Sequence, residues 1–422
     1  MRKQQFSFIT VSFISGLLVM PSLIFYNLKS LSYGTIIMSL LLILYFILIH
    51  KKFLLNTKYL LKNSIESLKN RYFIFFCLIL FHFLITSLVH DKVNFNRFFL
   101  SYFCLVLFIL SSFIFSLILI NNYQSNKFEK SLTIIFYFIL FLSFLIFLRF
   151  SALSPLYYKT NIYLTIYAEP SHFVMSILPF ILYFLISQKS DNNKAFIFLF
   201  FLIISLLAKS AMLLVSILFF GLLSLSRKSI LLILILIITS ILYLFLFEVS
   251  IDVNYFIDRF SLDSKILSSK PNMSVLVYLA NYHETYLNFI NTFFLGIGFQ
   301  QFGFVGETSY FRELIYDSSG YFAYSHNKDA SFLIGKILSE FGILGLFFLF
   351  FYYRCSLISF ILIKQKNKIK KYYELKVFFS SCILAYLIEL IIRGAGYFTL
   401  GTLLFFTGIF GLNLLYNYEK NY

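Results

Sequence analysis

The chain has 422 residues, of which 60% are apolar, 21% aromatic and only 13% charged, with a formal net charge of +17. A mean hydropathy of +0.86 excludes a soluble globular domain, which carries about 25% charged residues, and equally excludes a disordered chain. Apolar runs of about 20 residues recur along almost the whole length, where a transmembrane β-barrel would show alternating ten-residue segments, so the pattern predicts an all-α polytopic membrane protein.

Twelve spans are predicted, at 7–26, 31–49, 72–89, 98–120, 131–148, 173–187, 195–208, 211–225, 229–248, 341–363, 377–392 and 397–416. The first follows Met1-Arg2-Lys3 without a small-residue cleavage site and reads as a retained signal anchor. The seventh and eighth are separated only by Lys209-Ser210 and are expected to form a tight pair. After the ninth comes one large loop, 249–331, too long to be a connector. Within it, Pro271 to Asn291 predicts an interfacial helix, with Val275, Leu276, Leu279, Tyr282, Tyr286, Leu287 and Ile290 on its apolar face. The chain thus divides into spans one to nine (1–248), the loop (249–331), and a membrane-edge helix with the last three spans (332–422), all one membrane domain.

Charge orients this map. With the amino terminus cytoplasmic, 22 of the 35 Lys and Arg fall on the inner side, chiefly in loops 50–71 and 364–376. That is the positive-inside bias, and it places both termini in the cytoplasm and the 249–331 loop outside. The basic pI of about 9.5 is therefore a topology signal and not a sign of nucleic-acid binding. The four cysteines lie in or beside spans without CxxC spacing and read as inert thiols.

The cations differ in kind across the membrane. The outer side has five Arg (Arg97, Arg149, Arg259, Arg312, Arg393), and Arg grips phosphate oxygens better than Lys. Four constellations lie on that side. Glu169-Pro170-Ser171-His172 opens the sixth span, with Pro170 in the first helical turn and Glu169 as N-cap. Arg149 and Arg393 lie at the membrane edge, with Glu389 one turn before Arg393, where the two could also satisfy each other. Ser325-His326-Asn327-Lys328-Asp329 leads into the membrane-edge helix, and His326 is a natural proton acceptor near neutral pH. Gly296-Ile297-Gly298 with Gly303 reads as a tight turn after the loop helix. Taken singly, each also reads as a cap, an ion pair or a headgroup anchor. No HExxH, DxD, Walker loop or serine-hydrolase elbow is present, so neither a metal nor a nucleotide-sugar donor is expected.

The stretch SHNKDASFLIGKILSEFGILGLFFLF at 325–350 resembles the HN-x(n)-L-x-E-x-G-I-x-G-L pattern of the O-antigen polymerase and ligase superfamily. GIGFQQFG at 296–303 resembles that family's glycine element upstream of the same His, and Asp258-Arg259-Phe260 its loop Arg. EPSHF at 169–173 is more similar to Wzy-type polymerases than to ligases. Where the family's loop carries a second Arg, this chain has Ser269-Lys270-Pro271, so Lys270 or Arg312 is left to supply that cation.

The resemblance implies a GT-C-like, metal-independent inverting glycosyltransferase at the outer face of a bacterial inner membrane. Its substrates would be oligosaccharides on undecaprenyl pyrophosphate, with a chain-length regulator as a possible protein partner and no cofactor. His326 or Glu169 would be the base. Arg259, Arg149 and Arg393 would hold pyrophosphate, with Arg312, His172 and Asn327 assisting. The alternatives are a ligase delivering glycan to lipid A-core, a capsule polymerase, and a lipid-oligosaccharide flippase. Against the flippase stands the lack of two related halves.

Overall fold

The computed structural model describes residues 2–28, 30–49, 58–121, 123–147, 167, 170–226, 228, 273–319, 328, 330–365 and 372–420. These residues form fourteen helices and no strand, with one isolated bridge between Phe302 and Val305. In chain order they are α1 (Arg2–Leu28), α2 (Leu31–Ile49), α3 (Lys58–Val89), α4 (Phe95–Asn121), α5 (Ser125–Phe147), α6 (Pro170–Ser187), α7 (Asp191–Leu207) and α8 (Ala211–Ser224). Then follow α9 (Met273–Asn291), α10 (Tyr310–Ser319), α11 (Leu333–Phe341), α12 (Ile343–Lys364), α13 (Tyr373–Ile391) and α14 (Leu400–Lys420). Eleven of the twelve predicted spans coincide with a helix; the ninth, 229–248, lies outside the described residues, as does most of the loop before α9.

Among the described residues seven helices are long and apolar enough to cross a membrane, so the protein is a polytopic, membrane-embedded helical bundle. Helices α4, α6, α13 and α14 make its centre: 78% of the α6 span is buried. By contrast α12, 17% buried, and α3, 22% buried, expose Phe347, Phe350, Phe73 and Phe81, as helices at the rim of a membrane bundle do.

Small and hydroxylated residues set the central contacts, as expected where lipid removes the hydrophobic drive between helices. Ser112 and Ser116 of α4 donate across to the Leu403 and Thr407 carbonyls of α14, at 3.1 and 2.9 Å. Gly408 of α14 packs on the Phe379 carbonyl of α13, where a Cβ would lie 2.6 Å away. The tight pair is present too: α7 and α8 pack together across Ala208–Ser210, and the Ser210 hydroxyl caps α8 by accepting from the Leu213 amide. With 14 residues α8 rises only about 21 Å, less than the hydrocarbon thickness of about 30 Å.

Helices α9, α10 and α11, with the 292–309 segment, pack beside the ends of α3, α4, α12 and α13. The expected loop helix is there as α9, and most of the apolar face assigned to the membrane surface is open. Of the predicted apolar face, Leu276 is buried while Tyr282, Tyr286 and Ile290 are exposed. What α9 buries instead is a polar stripe, Asn281, Glu284, Thr285 and Asn288. The reason is that α10 and α11 present matching polar partners to that stripe.

Candidate functional site

Two buried polar nodes organise this layer. The first is on α11, where Lys336 and Glu340 lie one turn apart on one face, both fully buried, with Nζ and Oε1 3.4 Å apart. The Glu340 carboxylate accepts from the Gln300 amide (2.8 Å), the Phe302 amide (3.1 Å) and the Tyr397 hydroxyl (2.9 Å). Lys336 donates to the Lys328 carbonyl at 2.5 Å, with the Tyr397 and Phe302 rings 5.5 and 5.9 Å from its ammonium. A buried charge is tolerated only when paired and hydrogen-bonded, and here both conditions hold.

The GIGFQQFG segment is fastened to the same helix through its backbone. The Ile297 amide donates to Ser339 O and the Gly298 amide to Glu340 O, both at 2.9 Å. Gly296 has φ +86°, and a Cβ there would lie 2.6 Å from the Glu340 carbonyl. Gly342, φ +54°, likewise leaves no room for a Cβ against the Phe294 carbonyl. Gly296 and Gly342 are thus explained by one close crossing, while a Cβ at Gly298, φ +97°, would meet the Thr86 hydroxyl of α3 at 2.6 Å. On the other side, Gln301 exchanges bonds with the Asn94 backbone, and His82 of α3 bonds the Leu295 carbonyl at 2.8 Å.

The second node fixes α9 to α10. Arg312 grips Glu284 with Nε and Nη2, at 2.8 and 2.9 Å, and donates to Asn281 Oδ1 at 2.8 Å. Asn281 in turn donates to the Ser331 hydroxyl (2.6 Å), and the Gly394 amide donates to the Ser331 carbonyl (2.9 Å). Asn288 bonds the Ser339 hydroxyl and the Glu307 amide, both at 2.8 Å. Tyr278 donates to the Ile391 carbonyl at 3.2 Å, and burial raises its phenol pKa, so it remains a donor at neutral pH.

The expected site residues are distributed as follows. His326, Asn327, Glu169, Arg259 and Arg149 lie outside the described residues. Arg393 is half-buried at the end of α13, beside the Gly394–Ser331 bond and so near the chain that follows His326. Glu389 accepts from Thr399 at 2.6 Å and from the Gly401 amide. His172 is buried in α6, edge-on to Phe25 at 5.0 Å, among packed side chains. Arg312, 8% exposed, has its fork engaged by Glu284 and Asn281, which fix α10 to α9.

Arg97 also differs from a bare headgroup anchor. Its Nη2 donates to Gln300 Oε1 (3.1 Å) and to the Lys328 carbonyl (3.2 Å), and its guanidinium lies 4.6 Å from the Phe304 ring centroid. In the sequence Lys336, Glu340 and Tyr397 carry no assigned role, and Arg97 stands only among the outer cations. A signal existed for two of them: Lys336 and Glu340 are the only charges between Ala330 and Tyr353, and they are spaced i, i+4.

No family model matches the chain, and neither a curated protein nor a solved structure matches it.

Proposed function

We propose that the protein is a polysaccharide polymerase that joins lipid-linked oligosaccharide repeat units at the outer face of a bacterial inner membrane. The observation that carries this reading is the meeting of motif segments. GIGFQQFG, the SEFG of α11 and Lys328, two residues after His326, are tied together by Glu340 and Lys336. These are the stretches that resemble the O-antigen polymerase and ligase superfamily. Three charge-assisted bonds thus hold residues 38 or more apart in sequence, such as Phe302 and Glu340, around one carboxylate.

In this reading the chain crosses the membrane twelve times with both termini inside, and 249–331 faces outward. The short α7–α8 pair returns to the cytoplasmic side whether or not it crosses fully, so the orientation of the rest is unchanged. The acceptor hydroxyl oxygen attacks the donor's anomeric carbon, whose bond to the pyrophosphate oxygen breaks with inversion. The base, His326 or Glu169, takes the hydroxyl proton. The pyrophosphate leaves with the bonding electron pair, and its charge is met by Arg259, Arg149 and Arg393. Arg312 and the Lys336–Glu340 pair hold the framework around this centre. EPSHF at 169–173 favours a polymerase over the ligase alternative.

Deletion of the gene in its own host tests the reading. A polymerase mutant still attaches a single repeat unit to lipid A-core, because flipping and ligation continue. Core carrying no repeat at all would point to a ligase or flippase instead.

A further inference from the structure

Where α3 turns into α4 lies a shallow, largely open cleft of about 460 Å³, lined by Lys92, Val93, Asn94, Phe95, Asn96 and Phe304. None of these residues is acidic. Beside it, Arg97 and Lys328 both approach the Phe304 ring, with charged atoms 4.6 and 4.7 Å from its centroid. Two cations on one ring lie within a Debye length of each other, about 10 Å at 0.1 M salt. The ring offsets part of that repulsion, and an anion in the cleft would reverse it. Lys92 and Lys328 are exposed and can reach such an anion.

Below the cleft the surface changes character. Phe95, Phe99 and Phe103 are 48, 56 and 60% exposed and recur every fourth residue, so they form one stripe down α4 from the cleft wall. Leu88, at the end of the neighbouring α3, is 88% exposed. A cationic cradle above an apolar stripe, at the end of two spans, has the amphipathic layout of a lipid.

We propose that this cleft docks a phosphate-bearing lipid, with its headgroup among Lys92, Arg97 and Lys328 and its chain along the Phe95–Phe99–Phe103 stripe. The inference rests on the membrane-embedded fold and not on the polymerase reading. The occupant is an anionic phospholipid of the surrounding bilayer, because the Phe95–Phe99–Phe103 stripe is open to that bilayer along its length; a polyprenyl carrier, which shares the phosphate ester on an apolar chain, is the alternative that the competition tests.

The absence of Trp from the chain makes the test direct. Phe99→Trp supplies a single reporter, and the protein is placed in phosphatidylcholine nanodiscs. Quenching by brominated phosphatidylglycerol is compared with quenching by brominated phosphatidylcholine. Stronger quenching by the anionic lipid is expected. Lys92→Gln and Lys328→Gln should each lower that preference by about fivefold, the effect of one basic residue near a lipid surface, while Lys92→Arg and Lys328→Arg keep it. Unbrominated competitors then identify the source. Displacement by phosphatidylglycerol at a mole fraction no higher than that of a polyprenyl pyrophosphate is expected, and displacement by the polyprenyl pyrophosphate at a lower mole fraction overturns the assignment to bulk phospholipid. Equal quenching by the two brominated lipids, an unchanged preference in both Gln variants, or displacement by inorganic pyrophosphate but by no lipid overturns the proposal.

Discussion

Replacing Glu340 by Gln keeps the size of the side chain and removes its charge. In the native site one carboxylate receives three donors and faces the Lys336 ammonium at 3.4 Å, all out of water. The amide can offer one acceptor oxygen, so its NH₂ must face a donor at the other position. Lys336 loses its counter-charge in a fully buried place. Breaking one partner of a buried pair costs about 3–5 kcal/mol. At about 1.4 kcal/mol per tenfold, the opening equilibrium of the 296–303 segment rises by roughly a hundredfold to a few thousandfold. Hydrogen–deuterium exchange on the purified protein reads this directly. The amides of Gln300 and Phe302 should exchange faster by that factor, while the amides of the buried half of α4 should not change. The double variant Lys336→Met/Glu340→Gln should recover part of the protection, because it strands no buried charge. Unchanged exchange at Gln300 and Phe302, or equal acceleration throughout α4, would refute the reasoning.

Further outcomes are expected elsewhere. Arg312→Ala should lower thermal stability as a broken buried pair does, and Glu284→Gln in the same chain should add much less than its own single effect; additive losses would mean the two are not coupled. Arg259→Lys should lose about tenfold to a hundredfold in polymer formation, the worth of one charge-assisted bond, and Arg97→Lys should also be impaired because its fork joins Gln300 to Lys328; a silent Arg97→Lys would return it to the role of headgroup anchor. His326→Gln should abolish polymer formation at normal insertion levels while Glu169→Gln only reduces it, and the reverse ranking would transfer the role of base to Glu169. Reporter fusions near residues 60, 125, 190 and 370 should report cytoplasm and one near 300 the outer side; a cytoplasmic signal at 300 would put the whole proposed site in the wrong compartment.

Apolar run length makes most of the bundle legible in the sequence. The helix ends at Leu31, Ile49, Val89 and Asn291 fall where hydropathy and Pro271 put them, within two residues. The burial of the polar face of α9 is not legible, because amphipathicity says which face is apolar and not which face its neighbours will cover. Tyr282 and Tyr286 face outward since Arg312, Ser339 and Ser331 arrive from other elements to meet Glu284, Asn288 and Asn281. For the same reason Arg312 passes for a free phosphate ligand in the sequence: its partner is 28 residues upstream, beyond any local spacing rule. Glu340 stands in the motif without an assigned task. Its task, ordering the Gly296–Gly303 segment, depends on a crossing between segments 38 and 40 residues apart.

The central claim is that this chain alone joins lipid-linked repeat units to each other. The direct test places the purified protein in proteoliposomes with one undecaprenyl-pyrophosphate-linked repeat unit as the sole sugar substrate. The products are resolved on a gel. The account predicts a ladder of lipid-linked oligomers that rises one repeat at a time, with release of undecaprenyl pyrophosphate. A substrate that stays monomeric, but is transferred once lipid A-core is added, would contradict it and make the protein a ligase.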